Sequence, residues 1–320
     1  RGIMPHARRI CRAAFAKEPE MYIVTGGAGF IGSAMVWKLN RMGIDDIIVV
    51  DNLATTEKWK NLVNLRYADY IHRDGFMDMV LHGDLPWEVD AIVHMGACSS
   101  TTERDADFLM ENNFRYSRML CTLAMQTGAR FVNASSAATY GDGTLGFSDD
   151  DELMPRLKPL NMYGYSKQLF DLWARREGVL DSIASLKFFN VYGPNEYHKD
   201  DMRSVICKSF HNVNNAGRIT LFRSNHPDYA DGGQMRDFVY VKDCVEVMWW
   251  LLQHPEVGGV FNVGTGTSRT WNDLARAVFS SMDRQPVIEY VFETLKTLMT
   301  RPSSSQRAGL MCSPSKTSWS

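Results

Sequence analysis

Three groups of residues in this 320-residue chain have types and spacings that suit chemistry. The first is the run VTGGAGFIGS, in which Gly26, Gly29 and Gly32 follow a predicted strand and open a predicted helix, with Asp51 standing 19 positions after Gly32. Glycines allow the tight turn and the close backbone approach that a pyrophosphate needs, and the helix N-terminus favours its charge. An acid at the end of the next strand suits ribose hydroxyls, whereas in a plain strand-to-helix turn it would be an ordinary turn residue. The second group is Tyr163 and Lys167 in YGYSK, four apart and therefore on one face of a helix. An ammonium beside a phenol is predicted to lower the phenol's pKa towards working pH, giving an acid/base for an alcohol proton. The third is Ser135-Ser136 at the carboxyl end of a predicted strand, where a hydroxyl could polarise a substrate carbonyl. A Tyr-x-x-x-Lys spacing recurs by chance, so the combination carries the argument.

The elements that must hold these groups alternate along the chain. Short β-branched runs predict strands over Met21–Thr25, Ile47–Asp51, Ala91–His94, Arg130–Ser135, Ser185–Asn190 and Phe261–Val263. Apolar residues at helical spacing predict helices over Ile31–Met42, Asp105–Gln126 and Ser166–Arg176. Strands joined by helices pair in parallel through right-handed crossovers, so the expected fold is α/β, a doubly wound parallel sheet of Rossmann type, with ligands at the carboxyl ends of its strands. After Asn190 the pattern loosens, and a smaller C-terminal substrate lobe is expected, with a helix near Val205–Asn215 and a strand near Ile219–Phe222. The segments FVYVKDCVEVMWWLL and FNVGTG are expected to return to the sheet, before a helix at Trp271–Met282 and a strand near Ile288–Val291. This organisation reads as a cofactor domain over 21–190 plus 236–265 and a substrate lobe over 191–235 plus 266–291. The stretch before Met21 reads as an extension outside the fold, with a targeting presequence, or upstream sequence before a start at Met21, as the alternatives. The tail from Phe292 is Ser-, Lys- and Thr-rich and reads as disordered.

Composition narrows the function. A formal net charge of −2 gives no global reason to expect nucleic acid or an anionic membrane as partner, and leaves a small polyanion open. The apolar runs, such as Val247 to Leu252, fall far short of the roughly 18 residues of a spanning helix. Six scattered cysteines form no C-x-x-C pair and no metal-ligand spacing, so no metal is expected and the cytoplasm is the expected location.

The motifs TGGAGFIGS, Asp51-Asn52-Leu53, GACSSTTE at 96–103, SSAATYG, YGYSK and FFNVYGPNE together resemble the extended short-chain dehydrogenase/reductase family of nucleotide-sugar enzymes. GACSSTTE, PLNMYGYSK and Glu196-x-His198-Lys199 resemble its subfamily of ADP-heptose 6-epimerases, from Met21 to about Tyr290. The resemblance implies redox-neutral epimerisation of a nucleotide-linked heptose, a step towards lipopolysaccharide core precursors: hydride leaves C6 to give a ketone and returns to the opposite face. It implies Ser136, Tyr163 and Lys167 as catalytic residues, with Lys199 as a second acid/base. For the cofactor it implies Gly26, Gly29, Phe30, Ile31, Gly32, Asp51, Asn52, Lys58, Arg73, Gly96, Ala97, Cys98, Ser99, Asn112, Lys167, Val191 and Lys199. Asp51 alone favours NAD, because a carboxylate repels a 2′-phosphate, while Lys58 and Arg73 match basic positions that favour NADP. Cys98 is read as packing rather than reacting. Substrate-side positions carried over are Asn190, Asp201, Lys208, Phe222, Arg223, Ser224, Asn225 and Arg236, the last suited to a diphosphate by its guanidinium fork. A homo-oligomer is also expected.

This chain departs from the subfamily pattern at Asp201 and Lys208, in the length of Asn225–Gln234, and throughout the stretch after Val291, which reads like another frame or a different end. Two rival readings follow. A neighbouring activity on the same scaffold is one, although a dehydratase is disfavoured by Ala137-Ala138 after Ser136, where an acidic pair would stand. The other is a cofactor-binding protein without turnover, which the intact Ser136, Tyr163 and Lys167 argue against.

Overall fold

The computed structural model describes residues 21–225 and 227–292, so both the extension before Met21 and the tail beyond Phe292 lie outside the described residues. Two compact units divide the described residues: one takes residues 21–211 with Arg236–Arg269, the other Asn212–Met235 with residues 270–292. Residues 191–211, expected with the smaller lobe, thus belong to the first unit.

The chain begins with β1 (Met21–Thr25), α1 (Phe30–Arg41), β2 (Ile47–Asp51), β3 (Asp69–His72), α2 (Arg73–His82) and β4 (Val89–His94). There follow α3 (Ala106–Leu109), α4 (Tyr116–Thr127), β5 (Arg130–Ser136), α5 (Met162–Arg176), β6 (Ile183–Phe188) and β7 (Asn190–Tyr192). Next come α6 (Val205–Ala216), β8 (Ile219–Phe222), β9 (Met235–Arg236), β10 (Phe238–Tyr240), α7 (Val241–Gln253) and β11 (Gly259–Val263). The last are β12 (Arg269–Thr270), α8 (Trp271–Ser281) and β13 (Ile288–Val291).

Seven strands form one sheet in the order β11-β6-β5-β4-β1-β2-β3, each neighbouring pair parallel. Alternation along the strands splits the core between the two faces. Val24, Val49, Val93 and Val132 join α1 and α7, while Ile23, Ile48, Ile92 and Phe131 join α4 and α5. The doubly wound parallel fold therefore stands as expected. The strand order reverses at β1, between β2 and β4, which opens a crevice at the carboxyl ends of those strands.

Several elements differ from the sequence pattern. The strand predicted over Ser185–Asn190 breaks at Phe189 and resumes as β7, which pairs with β10 outside the main sheet. FVYVKDCVEVMWWLL does not lie in that sheet as a strand: after β10 it is helix α7, because Val241, Cys244, Val245, Met248, Leu251 and Leu252 repeat at helical spacing and are buried. The helix predicted over Asp105–Gln126 is interrupted at Met110–Arg115 by a π-turn, which turns Asn112 and Asn113 both inward. Among the described residues no helix is long and apolar enough to cross a membrane.

In the second unit, β8 and β13 pair in parallel from Ile219 and Ile288. Thr270 and Asp273 form a capping box that starts α8. Arg284 donates to the Val213 carbonyl, and the Tyr290 hydroxyl to Asn272 Oδ1 at 2.8 Å.

Candidate active site

The glycine turn between β1 and α1 has no room for side chains. At Gly26 the backbone is left-handed (φ +64°), and a Cβ there would stand 2.6 Å from the Gly96 nitrogen. A Cβ on Gly32 would come within 2.0 Å of the Gly26 carbonyl oxygen. The helix that follows has neither a side-chain cap nor an acid in its first turn, so its amide end stays open to an anion. This cradle, which a Cβ would fill, fits a dinucleotide pyrophosphate.

Asp51 ends β2 buried beneath that turn. One carboxylate oxygen accepts from the Ala28 amide at 2.9 Å, and the other from the Asn52 amide and the Lys58 ammonium, each at 2.7 Å. The expected repulsion between Asp51 and a 2′-phosphate is thereby offset by a cation already in place. Arg73 starts α2, bonded to Asp74 and to Asn112 Oδ1. Gly96, Ala97, Cys98 and Ser99 form the loop after β4, with the Gly96 amide donating to Thr25 Oγ1 at 3.2 Å. Phe30 and Ile31 open α1, and Val191 lies in β7.

The catalytic candidates meet where β5 and α5 converge. Ser136 closes β5, and its Oγ accepts from the Ala138 amide at 3.1 Å. The Asn161 side chain caps α5 by accepting from the Gly164 amide at 2.8 Å, so the helix starts at Met162, four residues before the sequence pattern places it. Gly164 is needed there, since a Cβ would stand 2.7 Å from the Ala138 carbonyl oxygen. That close approach sets Tyr163 near Ser136, whose side chain acts to lower the phenol pKa. Burial raises the Tyr163 pKa, and the Ser136 side chain works against the rise. The predicted lowering by Lys167 is not found in the protein alone, where burial is the largest influence on the phenol and raises its pKa.

Lys167 is 2 % exposed, and its ammonium makes no hydrogen bond. Burial lowers its pKa to about 8, opposed by the charge of Asp171 one turn further on. Asp171 accepts from Ser135 Oγ at 2.6 Å and Ser185 Oγ at 2.7 Å, tying α5 to β5 and β6. Asn113 accepts from the Cys98 amide at 2.9 Å and donates to Ser166 Oγ at 3.1 Å, tying the Cys98 loop to α5. Sequence reasoning missed Asp171 and Asn113. The signals were the acid four residues after Lys167 and the second asparagine of the Asn112-Asn113 pair.

Lys199 belongs to the 3-10 turn Tyr197–Met202. It is partly buried, with its ammonium over the Phe30 ring, 5.6 Å from the centroid. Burial lowers its pKa and Glu196 opposes the shift. The structure therefore brings Lys199 against the first residue of α1.

The substrate-side positions divide between the units. Asn190 begins β7, Asp201 lies in the Tyr197–Met202 turn, Lys208 is on α6 and Arg236 ends β9, all in the first unit. Phe222, Arg223, Ser224 and Asn225 follow one another in the second, where the Arg223 guanidinium lies 4.9 Å from the centre of the Phe292 ring and the Ser224 amide donates to Asp231 at 2.7 Å. Among the described residues no group of acids, histidines and cysteines could hold a metal.

Comparison with known proteins gives a consistent picture. Residues 22–264 match the NAD dependent epimerase/dehydratase family. The chain is 82% identical over 271 residues to an ADP-L-glycero-D-manno-heptose-6-epimerase of Nitratidesulfovibrio vulgaris, covering 85% of this chain and 84% of the relative. An enzyme of the same name from Fusobacterium nucleatum is 44% identical over 280 residues, again covering 85% and 84%. The Helicobacter pylori ADP-L-glycero-D-manno-heptose-6-epimerase structure superposes with a TM-score of 0.72 at 24% identity, covering 87% of this chain and 89% of that one, and so shows the fold. Thermus thermophilus UDP-glucose 4-epimerase, solved with NAD, superposes with a TM-score of 0.66 at 27% identity, covering 89% and 95%. With its glycine cradle and its Ser136, Tyr163 and Lys167 cluster, the chain belongs to the NAD dependent epimerase/dehydratase family, among the ADP-L-glycero-D-manno-heptose-6-epimerases.

Proposed function

We propose that this nucleotide-sugar epimerase interconverts ADP-D-glycero-D-manno-heptose and ADP-L-glycero-D-manno-heptose, using NADP, in the supply of lipopolysaccharide core precursors. The observation that carries the reading is the buried, unpartnered Lys167 ammonium, one turn along α5 from Tyr163, whose phenol feels the Ser136 side chain, beside a sheet with a pyrophosphate cradle. A bound nicotinamide supplies the hydride acceptor for C6 and the donor that returns it.

The chain's own residues do the rest. The glycine turn and the open end of α1 hold the pyrophosphate, while Asp51, Asn52, Lys58 and Arg73 meet the adenosine end. Lys58 supports NADP over NAD because it already lies on the Asp51 carboxylate. Lys167, with three donors and no protein partner, suits ribose hydroxyls, and a pKa of about 8 leaves it mostly protonated at neutral pH. Ser136 orients the C6 oxygen, and Tyr163, acting as the phenolate after losing its own proton to solvent, takes the C6 hydroxyl proton as the C–H bond breaks. For the reverse face the ketone must turn over. Lys199 then donates the proton to the C6 oxygen as hydride returns, and exchange with solvent restores both groups. Arg236 serves the substrate diphosphate as a planar fork, with Asn190, Asp201 and Lys208 as further contacts. The free Cys98, Cys121, Cys207 and Cys244 suit a reducing compartment such as the cytoplasm.

The test is epimerisation of synthetic ADP-D-glycero-D-manno-heptose in deuterium oxide, followed by NMR. Formation of the C6 epimer with protium kept at C6 is expected, because the hydride never meets solvent. Deuterium at C6, or no epimer, would refute the mechanism or the substrate respectively.

A further inference from the structure

Asn61 ends the short 3-10 turn Glu57–Asn61, whose Lys58 holds Asp51. Its side-chain nitrogen faces acceptors on two separate segments. One is the Ala28 carbonyl of the glycine turn at 3.0 Å. The other is the Asn195 carbonyl at 3.1 Å, on the loop that carries Lys199, where His198 Nδ1 also lies 3.2 Å away. Whether the His198 ring nitrogen accepts or donates there follows its tautomer; burial, then the charges of Lys58 and Lys199, push the His198 pKa down, and Asp51 and the Asn195 carbonyl oppose the shift.

The same loop needs outside support. Asn195 and Asp200 both sit in left-handed backbone, at φ +76° and +45°. Glu196, buried between them, closes the loop on its own side by accepting from the Gly193 amide at 3.2 Å, from Ser204 Oγ at 2.7 Å and from the Ser204 amide. Asn195 Nδ2 donates to Ser33 Oγ on α1 at 3.0 Å, a second tie to the helix that leaves the glycine turn. Lys199, whose amide bonds back to the Glu196 carbonyl at 3.1 Å, is delivered over Phe30 by this arrangement.

We propose that Asn61 is the positioning residue for Lys199, fastening the Asn195–Asp200 loop to the glycine turn so that the second acid/base and the cofactor cradle move as one piece. The inference rests on the reading of Lys199 as the second acid/base. Two of the partners of Asn61 are backbone carbonyls, which only accept, so the position requires an amide donor. A carboxylate of nearly the same shape would turn oxygen towards two carbonyl oxygens. Because Lys58 stands three residues earlier on the same turn, the segment that meets the adenosine end also fixes Lys199.

The experiment compares wild type with Asn61→Ala, Asn61→Asp, Lys199→Met and the Asn61→Ala/Lys199→Met double variant. In the free protein, a pulse of acetic anhydride followed by peptide mass spectrometry reads the reactivity of Lys199 against the exposed Lys158 as internal reference. Lys199 acetylation is expected to rise several-fold in both Asn61 variants. Epimerisation kcat is expected to fall on the order of 100-fold, the scale of a misplaced catalytic group, with KM little changed and no further loss when Asn61→Ala is added to Lys199→Met. The nearly isosteric Asn61→Asp decides the matter if the alanine variant does not fold. Wild-type labelling and kcat in the Asn61 variants, or an equal loss in the Lys199→Met background, would overturn the positioning role while leaving Lys199 in place. Full epimerisation by Lys199→Met would overturn the reading of Lys199 and this inference with it.

Discussion

Replacing Lys58 and Arg73 together with methionine tests how the adenosine end tells NADP from NAD. In the structure the Lys58 ammonium is 2.7 Å from Asp51, whose side chain is only 7% exposed, and Arg73 is held by Asp74 and Asn112. Removing Lys58 acts twice against a 2′-phosphate: a cation is lost, and the Asp51 carboxylate it neutralised is left to repel the anion. For NAD the second change is harmless, since a freed carboxylate can accept from a ribose hydroxyl. A charge-assisted hydrogen bond is worth about 1.5–3 kcal/mol, and partial exposure to water brings the expected shift in relative affinity to about 1–3 kcal/mol. That is about 5- to 150-fold in the ratio of the two dissociation constants. Titrating each dinucleotide into wild type and double variant by calorimetry, at low and moderate salt, measures the ratio. The shift should shrink as salt is added. An unchanged ratio would mean that neither residue meets the phosphate, and the preference for NADP would then lack its physical basis.

Three further outcomes follow from the same geometry. Tyr163→Phe keeps the ring and loses the proton, so epimerisation should fall at least about 100-fold while cofactor affinity holds; retention of more than about a tenth of the rate would remove Tyr163 from its role. Gly164→Ala puts a methyl 2.7 Å from the Ala138 carbonyl and should push the start of α5 away from Ser136, with kcat falling roughly 10- to 100-fold; an unchanged kcat would show that α5 need not approach so closely. His94 is buried between Thr25 and Ser117, and burial lowers its pKa to about 3 from an ordinary 6.5. The unfolded chain therefore binds the extra proton below about pH 6.5, so stability is complete above that value and lost as pH falls, by about 2 kcal/mol at pH 5. Urea titrations at pH 7.5 and 5 of wild type and His94→Asn measure this, and equal pH dependence in the two would exclude His94 as the source.

Features set by local geometry were legible in the residues alone. The glycine turn could be read because left-handed backbone and atomic crowding at Gly26 and Gly32 leave no other residue type. The bounds of β1 and β2 followed from buried β-branched runs, and the i, i+4 relation of Tyr163 and Lys167 from helical pitch. What lay beyond reach depends on contacts between distant segments. β3 and α2 escaped notice because Asp69–His72 is a half-exposed edge strand without clear alternation. The first turn of α5 escaped because YGYS lacks an apolar stripe, and only the Asn161 cap and the packing of Gly164 on Ala138 make it helical. The roles of Asn61, Asn113 and Asp171 arise across separations of up to 137 residues, where sequence spacing carries no signal. The Tyr163 pKa reversed for a related reason. The sequence by itself determined which groups stand on one helix face and what proton chemistry they can do. The tertiary structure alone decided how much water each keeps, and burial moves a phenol or an ammonium as strongly as a neighbouring charge does.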